Sequence, residues 1–279
     1  MNIFDKILSN LPTFPRYKMC VFSGTNSLRE IFTALRCIVG GGKIQDPEIF
    51  VEKLQRFLRK DNVYLFGAGR MGLYSILKTI DLRPGEEVIV PSFTCAVVPN
   101  AVIYAGGKPV YCDISLHDFN IDIAKVENLI NSKTRVIYAQ HTFGQMCNVE
   151  KLKTLSEKYG LVLIEDVALA LGAKFQDNYA GTLGDFGFFS TDRSKVINTG
   201  LGGFVVVNNF SYAEEFDKNF TFIPPIGRYL EIRILLTFII NVVTLAPRIY
   251  WFGKFINACL TQMGLMMYYS DEKSIFIPN

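Results

Sequence analysis

The sequence predicts an α/β fold in which a mostly parallel sheet carries helices on both faces. Short runs of continuous apolar residues recur between positions 61 and 209, and amphipathic segments separate most of them. Such runs are typical of parallel strands buried on both faces, and the intervening segments can form the helical crossovers that these strands require. The chain has 279 residues, enough to bury a core without disulfide bonds or a structural metal.

Seven apolar runs are interpreted as strands, in chain order VYLF (63–66), EVIVP (87–91), PVYCDI (109–114), RVIYAQ (135–140), LVLIED (161–166), FGFFS (186–190) and GFVVVN (203–208). Helices are predicted between most of them, at 71–80, 95–105, 123–130 and 149–159. A further helix is predicted at 47–59, ahead of the first strand, because its apolar residues recur with a period near 3.6.

The chain divides into three predicted regions. They are a helical lead-in at 1–60, the α/β domain at 61–210, and an apolar helical C-terminal segment at 211–279. The first residues mix charge and proline instead of forming a charged and then apolar leader, so we expect no secretory signal and a reducing, cytoplasmic location.

The C-terminal segment contains an uncharged stretch of fourteen positions, 234–247, between Arg233 and Arg248. A helix of that length spans about 21 Å, short of the roughly 30 Å hydrocarbon core, so we do not expect it to cross a bilayer. We interpret it as a buried or dimer-interface helix, or as a contact with a membrane surface. Residues that favour a membrane surface follow it: Tyr250, Trp251, Phe252 and Lys254.

Composition excludes some classes of function. There are 29 Lys and Arg against 26 Asp and Glu, and these charges are interspersed, so no basic face for nucleic acid is predicted. The six cysteines form no C-x-x-C pair and there are only two histidines, so no metal site is expected. The functional class therefore depends on the predicted site.

In open parallel sheets, ligands bind at the carboxyl ends of the strands. Small and polar residues follow five of the predicted strands at those ends: Gly67 to Gly69, Ser92 to Cys95, Gln140 to Thr142, Glu165 with Asp166, and Ser190 to Lys195. We expect a site at this edge of the sheet.

The segment GAGRMG at 67–72 follows a strand and opens a helix, as a dinucleotide-binding fingerprint does. That fingerprint also needs an acidic residue at the end of the next strand, which here ends in Pro91 and Ser92. More generally, the segment predicts an anion at a helix N-terminus, where backbone amides point outward. The alternative is a tight turn that binds nothing.

A carboxylate and a lysine stand out at the later strand ends. Asp166 lies just past an apolar strand, where its charge requires a cation, a hydrogen-bond donor or a protonated ring nitrogen. Glu165 and Asp166 could instead cap the segment that follows. Lys195 precedes the glycine-rich TGLGG at 199–203, and a lysine near a phosphate site and a buried carboxylate can serve as a Schiff-base nucleophile. The alternative for Lys195 is a solvated surface position.

Together these segments resemble the DegT and StrS group of pyridoxal-phosphate-dependent sugar aminotransferases, of the aspartate-aminotransferase fold type. The matching motifs lie at 84–114, 140–173 and 186–203. The resemblance implies that pyridoxal 5'-phosphate is the cofactor and that 61–210 is the cofactor-binding large domain. It also implies a homodimer that transfers an amino group from an amino acid, such as glutamate, to a nucleotide-linked keto-sugar in surface-polysaccharide or amino-sugar biosynthesis.

The resemblance assigns roles to individual residues. Lys195 matches the lysine that binds the cofactor covalently and moves the proton, and Asp166 matches the carboxylate that pairs with the protonated pyridine nitrogen. Ser190 matches a hydroxyl on the cofactor phosphate. Three further positions match the helix amides that bind the same phosphate: Gly69, Arg70 and Met71.

Several positions depart from the family pattern. Cys95 is a cofactor-facing position where the family commonly stacks an aromatic ring, and Leu169 stands where a polar side chain supports the phenolic oxygen. Phe93 or His141 could replace the stacking ring, although His141 is also interpretable as a hydrogen-bonded strand-end histidine. Leu201 stands where an acidic residue is frequent, which bears on substrate specificity.

The residues after Asn209 are too few for the small domain that family members normally carry, so we expect a C-terminally truncated member. Together with Cys95 and Leu169, this keeps a catalytically silent or regulatory homologue as one alternative. A dinucleotide-dependent oxidoreductase built on 67–72 is another. Dehydratases on this scaffold replace the lysine by histidine, so Lys195 favours transamination.

Overall fold

The computed structural model describes residues 28–39, 47–221, 227–244 and 250–266. The chain forms two compact units: Gln45–Pro225, and Met1–Ile44 together with Ile226–Asn279. The first unit is wider than the predicted range 61–210, because the helix Pro47–Leu58 buries Leu54 and Leu58 in the same cluster as Val63 of the sheet.

A seven-stranded sheet organises the first unit. Its strands are β1 (Val63–Phe66), β2 (Glu87–Pro91), β3 (Lys108–Cys112), β4 (Thr134–Gln140), β5 (Val162–Asp166), β8 (Phe186–Ser190) and β9 (Gly203–Val207). Lys174–Phe175 (β6) and Asn178–Tyr179 (β7) form a separate hairpin. The strand order is β1-β9-β8-β5-β4-β2-β3, and β9 runs antiparallel to both of its neighbours whereas the other pairs are parallel. The predicted fold class is confirmed.

The helices of the described residues are α1 (Leu28–Ile38), α2 (Pro47–Leu58), α3 (Gly69–Thr79), α4 (Val97–Tyr104), α5 (Ile123–Leu129), α6 (Val149–Tyr159), α7 (Ala213–Thr221), α8 (Arg228–Thr244) and α9 (Tyr250–Gln262). Local signals fix their ends. At the start of α6 the Asn148 side chain accepts a hydrogen bond from the Lys151 amide, and Gly160 ends the helix in the left-handed conformation.

Both faces of the sheet are covered by apolar side chains. Along β4, Val136 and Tyr138 belong to one buried cluster, and Ile137 and Ala139 belong to another. This alternation is expected because successive side chains of a strand point to opposite faces. Burial on both faces explains why the strands are visible in the sequence as continuous apolar runs.

The second unit contains α1, α8 and α9, and both α1 and α9 pack against α8. The predicted apolar stretch at 234–247 is helical up to Thr244. Pro247, Arg248 and the side chains of Tyr250 and Trp251 lie outside the described residues, as do residues 1–27. In the described part of the chain, no helix has the length and apolar character needed to cross a membrane.

Candidate active site

The buried carboxylate of Asp166 ends strand β5. The Tyr138 hydroxyl donates to its Oδ2 at 2.7 Å and the Ala168 amide donates to its Oδ1 at 2.8 Å. Burial raises the pKa of Asp166, while these two hydrogen bonds and the charge of Lys195 act in the opposite direction. A buried carboxylate in this situation is stabilised in its charged form by a further cation or donor.

Lys195 lies in a loop whose two ends are held together. The Thr191 amide donates to the Gly202 carbonyl at 3.0 Å, and the Thr199 amide donates to the Thr191 carbonyl at 2.9 Å. The hydroxyls of Thr191 and Thr199 are 2.7 Å apart. Within the loop, the Lys195 amide donates to the Asp192 carbonyl at 2.9 Å. These hydrogen bonds close the loop at its base and hold Lys195 next to the end of β8.

Two adjoining cavities share Asp166 and Lys195. The helix-side cavity, of about 130 Å³, is also lined by Gly69, Arg70 and Ser190. The loop-side cavity, of about 240 Å³, is lined by a second set of residues: Phe93, Thr94, Cys95, Gln140, His141, Thr142, Phe143, Ala168 and Leu169. The structure therefore brings the predicted amine, carboxylate, hydroxyl and helix N-terminus to one place.

Close backbone packing shapes the helix-side cavity. A Cβ at Gly69 would lie 2.9 Å from the Phe188 ring and 3.1 Å from the Ser190 Cβ. A Cβ at Gly203 would lie 2.5 Å from the Cα of Gly69. Only glycine permits these close contacts, so the first turn of α3 packs directly against the end of β8 and the start of β9, beside the helix-side cavity.

The predicted phosphate residues do not all reach the cavities. Gly69, Arg70 and Ser190 line the helix-side cavity. Met71 is absent from the residues that line either cavity, it packs against the core, and its amide donates to the Ala68 carbonyl at 3.0 Å. The Met71 amide is therefore already engaged within the first turn of the helix.

Glu165 has a different environment from its neighbour Asp166. Its Oε1 accepts from the amides of Leu183 (2.7 Å) and Gly184 (2.6 Å), and its Oε2 accepts from the Gly181 amide at 2.9 Å. Burial alone would raise the pKa of Glu165, but the hydrogen bonds from His141 and these amides outweigh it and lower the pKa. Glu165 thus organises the 181–184 loop and Asp166 faces the cavities.

His141 completes the set around Glu165. Its Nε2 lies 3.0 Å from Glu165 Oε2, and the Cys147 amide donates to its Nδ1 at 3.2 Å. Since Nδ1 accepts, the ring proton is on Nε2 and is donated to Glu165. Both ring nitrogens are engaged, which agrees with the interpretation of His141 as a hydrogen-bonded strand-end residue.

The positions that depart from the family pattern lie in the cavities. Cys95 lines both, and Leu169 lines the loop-side cavity. Phe93 also lines the loop-side cavity, and its ring centroid is 6.1 Å from that of Phe119 and 6.0 Å from that of Phe143. The loop-side cavity is therefore largely apolar at its mouth.

Sequence reasoning missed two buried polar residues that shape the site. Tyr138 supports Asp166, and the signal was a tyrosine inside an apolar strand, whose hydroxyl needs a partner when buried. Asn120 is 1% exposed and its Oδ1 accepts from the Thr142 amide at 2.8 Å. The sequence around Asn120 gives no comparable signal.

The dinucleotide alternative does not fit the topology. Strand β1, which precedes the GAGRMG turn, lies at the edge of the sheet and pairs antiparallel with β9. A dinucleotide-binding unit needs this first strand inside a parallel sheet, next to the strand that follows it in sequence. Here four other strands, β9, β8, β5 and β4, separate β1 from β2 in the sheet.

Comparison with known proteins gives a consistent family match. Residues 26–219 match the model of the DegT/DnrJ/EryC1/StrS aminotransferase family. A GDP-perosamine synthase from Caulobacter vibrioides is 38% identical over 50% of this chain and 38% of its own length. A UDP-N-acetyl-3-dehydro-alpha-D-glucosamine 3-aminotransferase from Acidithiobacillus ferrooxidans is 35% identical over 64% of this chain and 52% of its own length.

A solved structure agrees with the sequence relatives. The PLP form of the putative sugar aminotransferase Spr1654 from Streptococcus pneumoniae superposes with a TM-score of 0.65 at 25% identity, covering 72% of this chain and 56% of that one. The chain thus spans about half the length, or less, of the relatives it matches.

Proposed function

We propose, from the premise that this chain belongs to the DegT/DnrJ/EryC1/StrS aminotransferase family, that it is a PLP-dependent aminotransferase. Its substrates would be an amino acid donor, with glutamate the first to test, and a nucleotide-linked keto-sugar. The sugar relatives named above support this substrate class. The observation that carries the proposal is the pair Asp166 and Lys195, which line the same two cavities beside the N-terminus of α3.

The residues present fit this cofactor. Gly69 and Gly203 allow the first turn of α3 to pack directly on the start of β9. This contact places the N-terminus of α3 beside the helix-side cavity, where its backbone amides favour a phosphate group. Ser190 lines the same cavity. Asp166 is buried and has one donor on each carboxylate oxygen, which leaves lone pairs for a protonated ring nitrogen.

Each residue then has a separate task. When bound, PLP supplies an electron sink for the charge that develops at the substrate carbon. The Lys195 amine would hold the cofactor covalently. Once displaced by the donor amine, it would carry the proton between the substrate carbon and the cofactor's C4′, in one direction with the donor and in the reverse direction with the acceptor. Asp166 would hold the ring nitrogen in its protonated form, because Tyr138 and Ala168 favour its charged state. Leu169 and Phe93 would exclude water from the loop-side cavity.

The assembly and location are parts of the same proposal. A homodimer would bring a second copy to the site, as the resemblance implies. A cytoplasmic location is supported by the five cysteines of the described residues, which form no disulfide bonds with one another: Cys37, Cys95, Cys112, Cys147 and Cys259. No role for nucleic acid enters the proposal.

The test is a titration of the purified chain with PLP, followed by visible absorbance and by mass spectrometry after borohydride reduction. The wild-type chain should gain one cofactor mass on Lys195, and glutamate should convert the spectrum to that of the amine form. Lys195→Ala should abolish the mass gain, whereas Lys151→Ala, on the exposed face of α6, should retain it. A wild-type chain that gains no cofactor would overturn the proposal.

A catalytically silent homologue is the second candidate. Cys95 and Leu169 favour it, because they bring a thiol and an apolar side chain to positions where the resemblance implies a ring and a polar group. This candidate predicts that cofactor binds to Lys195 and that no amino donor changes the spectrum. The same titration therefore separates the two.

A further inference from the structure

The α8–α9 pair buries several polar side chains and exposes several large apolar ones. Thr237, Asn241 and Thr244 of α8 are 0%, 5% and 8% exposed. Large apolar side chains are exposed instead: Leu236 at 38%, Val243 at 51%, Phe252 at 67% and Phe255 at 47%. Helices that face water normally bury the apolar stripe and expose the polar one. This pair departs from that arrangement, because it buries three polar side chains of α8 beside Phe238 and exposes four large apolar ones.

Most buried polar atoms of this pair bond within or between the two helices. The exceptions among the described residues are Arg233 Nε and Asn241 Nδ2, which are buried without a hydrogen-bond partner. Asn257 Nδ2 donates to Asn241 Oδ1 at 3.1 Å, and the Thr244 hydroxyl lies 3.0 Å from Asn257 Oδ1. Thr237, Thr244 and Thr261 each place their hydroxyl 2.7 Å from the carbonyl oxygen four residues earlier. Hydroxyls satisfied in this way do not require water, which suits a helix beside lipid.

The two helices approach each other closely at a small residue. A Cβ at Gly253 of α9 would collide with the backbone carbonyl of Thr244 on α8. Close approach at glycine, combined with hydrogen bonds between side chains, is the mode of association expected of helices in an apolar medium.

The charge of the described helices in this unit is positive. Basic residues on α1, α8 and α9 are Arg29, Arg36, Arg228, Arg233 and Lys254, and acidic residues are Glu30 and Glu231. Arg228 pairs with Glu231 at 2.9 Å, and Arg233 donates to the carbonyls of Gly264 and Met266. Lys254 lies between the exposed Phe252 and Phe255 in the sequence of α9. Basic side chains beside an exposed apolar face complement the anionic headgroups of a membrane leaflet.

We infer that the α8–α9 pair docks on an anionic membrane surface. Its apolar face enters the boundary between headgroups and acyl chains, Lys254 contacts lipid phosphates, and the net positive charge of these helices adds attraction to the anionic leaflet. The helices have 17 and 13 residues, so they are about 26 Å and 20 Å long and lie at the surface without crossing. This inference goes beyond the proposed function and does not depend on it.

Flotation of the full chain with lipid vesicles tests the inference. The chain should float with vesicles of phosphatidylcholine and phosphatidylglycerol. Binding should fall by roughly fivefold or more on vesicles of phosphatidylcholine alone, since each basic residue near an anionic leaflet is worth about that factor. High salt should reduce binding as well, because it screens these charges. Absence of flotation with the anionic vesicles would overturn the inference.

Charge substitutions locate the contact. The double variant Phe252→Glu with Phe255→Glu, and separately Val243→Glu, should abolish flotation while circular dichroism remains unchanged, since all three side chains are exposed. Leu116→Glu is the matched control, because Leu116 is 85% exposed in the other unit. Equal flotation of all variants would contradict the inference. If the wild type does not float and Phe252→Glu converts a dimer to a monomer, the face is a protein interface.

Discussion

Glu165 and Asp166 are consecutive residues of β5, so their carboxylates lie on opposite faces of the sheet. Glu165 accepts hydrogen bonds from three loop amides and from His141, all within the protein. Asp166 accepts from Tyr138 and Ala168 and lines both cavities. One carboxylate therefore stabilises the fold, and its neighbour is available to a ligand.

We predict that Glu165→Gln destabilises the chain far more than Asp166→Asn does. The glutamine NH2 group would face hydrogen-bond donors, such as His141 Nε2 and the Gly181 amide, that now bond to a carboxylate oxygen. Buried donors without an acceptor destabilise the folded chain. Loss of a buried, fully bonded charge costs about 3 kcal/mol or more. Urea unfolding of the two variants measures the difference. Equal losses would show that the two carboxylates have the same structural role.

The pH dependence of stability should carry a signature of Asp166. Burial raises its pKa above the ordinary value of 3.8. At pH values between the ordinary pKa and the raised pKa of the folded chain, Asp166 keeps its proton in the native cofactor-free chain but has released it in the unfolded chain. The free energy of unfolding therefore falls as pH rises through this range. Asp166→Asn removes this contribution. The variant should therefore gain stability relative to the wild type as pH rises from 4 towards neutrality.

Urea titrations of both cofactor-free proteins at several pH values would measure this gain. Glu165, whose pKa is lowered, is present in both proteins and cancels in the difference. A stability difference that does not change with pH would contradict the assignment of a raised pKa to Asp166.

We predict that Tyr138→Phe weakens cofactor binding with a moderate loss of stability. The change deletes the hydroxyl that donates to Asp166 at 2.7 Å, a hydrogen bond to a charged group worth roughly 1.5–3 kcal/mol. Tyr64→Phe is the matched control, because it deletes a hydroxyl bound to Asp217 at 2.6 Å away from the cavities. Cofactor titration should distinguish them: only Tyr138→Phe should raise the Kd.

Substitutions at two glycines of α3, Gly69 and Gly72, distinguish an effect on stability from an effect on cofactor binding. A Cβ at Gly72 would lie 2.7 Å from Val205 in the core, and a Cβ at Gly69 would crowd the cavity wall at Phe188 and Ser190. Each change to alanine should cost about 1–3 kcal/mol through overpacking. Only Gly69→Ala should also raise the Kd for PLP, by about tenfold if one phosphate contact is lost. A similar Kd for both variants would argue against the helix N-terminus as the phosphate site.

The sequence predicted the strands well because burial on both faces leaves a strong signal. The runs at 63–66 and 87–91 coincide with β1 and β2. It could not predict the strand order or direction, since GFVVV is as apolar as the parallel strands although β9 runs antiparallel. The short hairpin of β6 and β7 was missed, because two-residue strands carry no periodic pattern.

The candidate site was predictable where a residue type is informative by itself. Lys195, Asp166 and the glycine turn were found at strand ends, where parallel sheets bind ligands. The engaged amide of Met71 was not predictable, because the hydrogen bonds of a first helical turn depend on its geometry. The support given by Asn120 depends on a contact between positions far apart in sequence.

Strand β9 lies between β1 and β8, and through Gly203 it touches the backbone of Gly69. During translation, β1 and the turn that follows it leave the ribosome long before the strand that pairs with them. The nascent chain therefore holds β1 without its partner strand until residues 203–207 emerge. Closure of this long-range pairing is expected to be the slow step of folding, and the helix-side cavity forms only when it is complete.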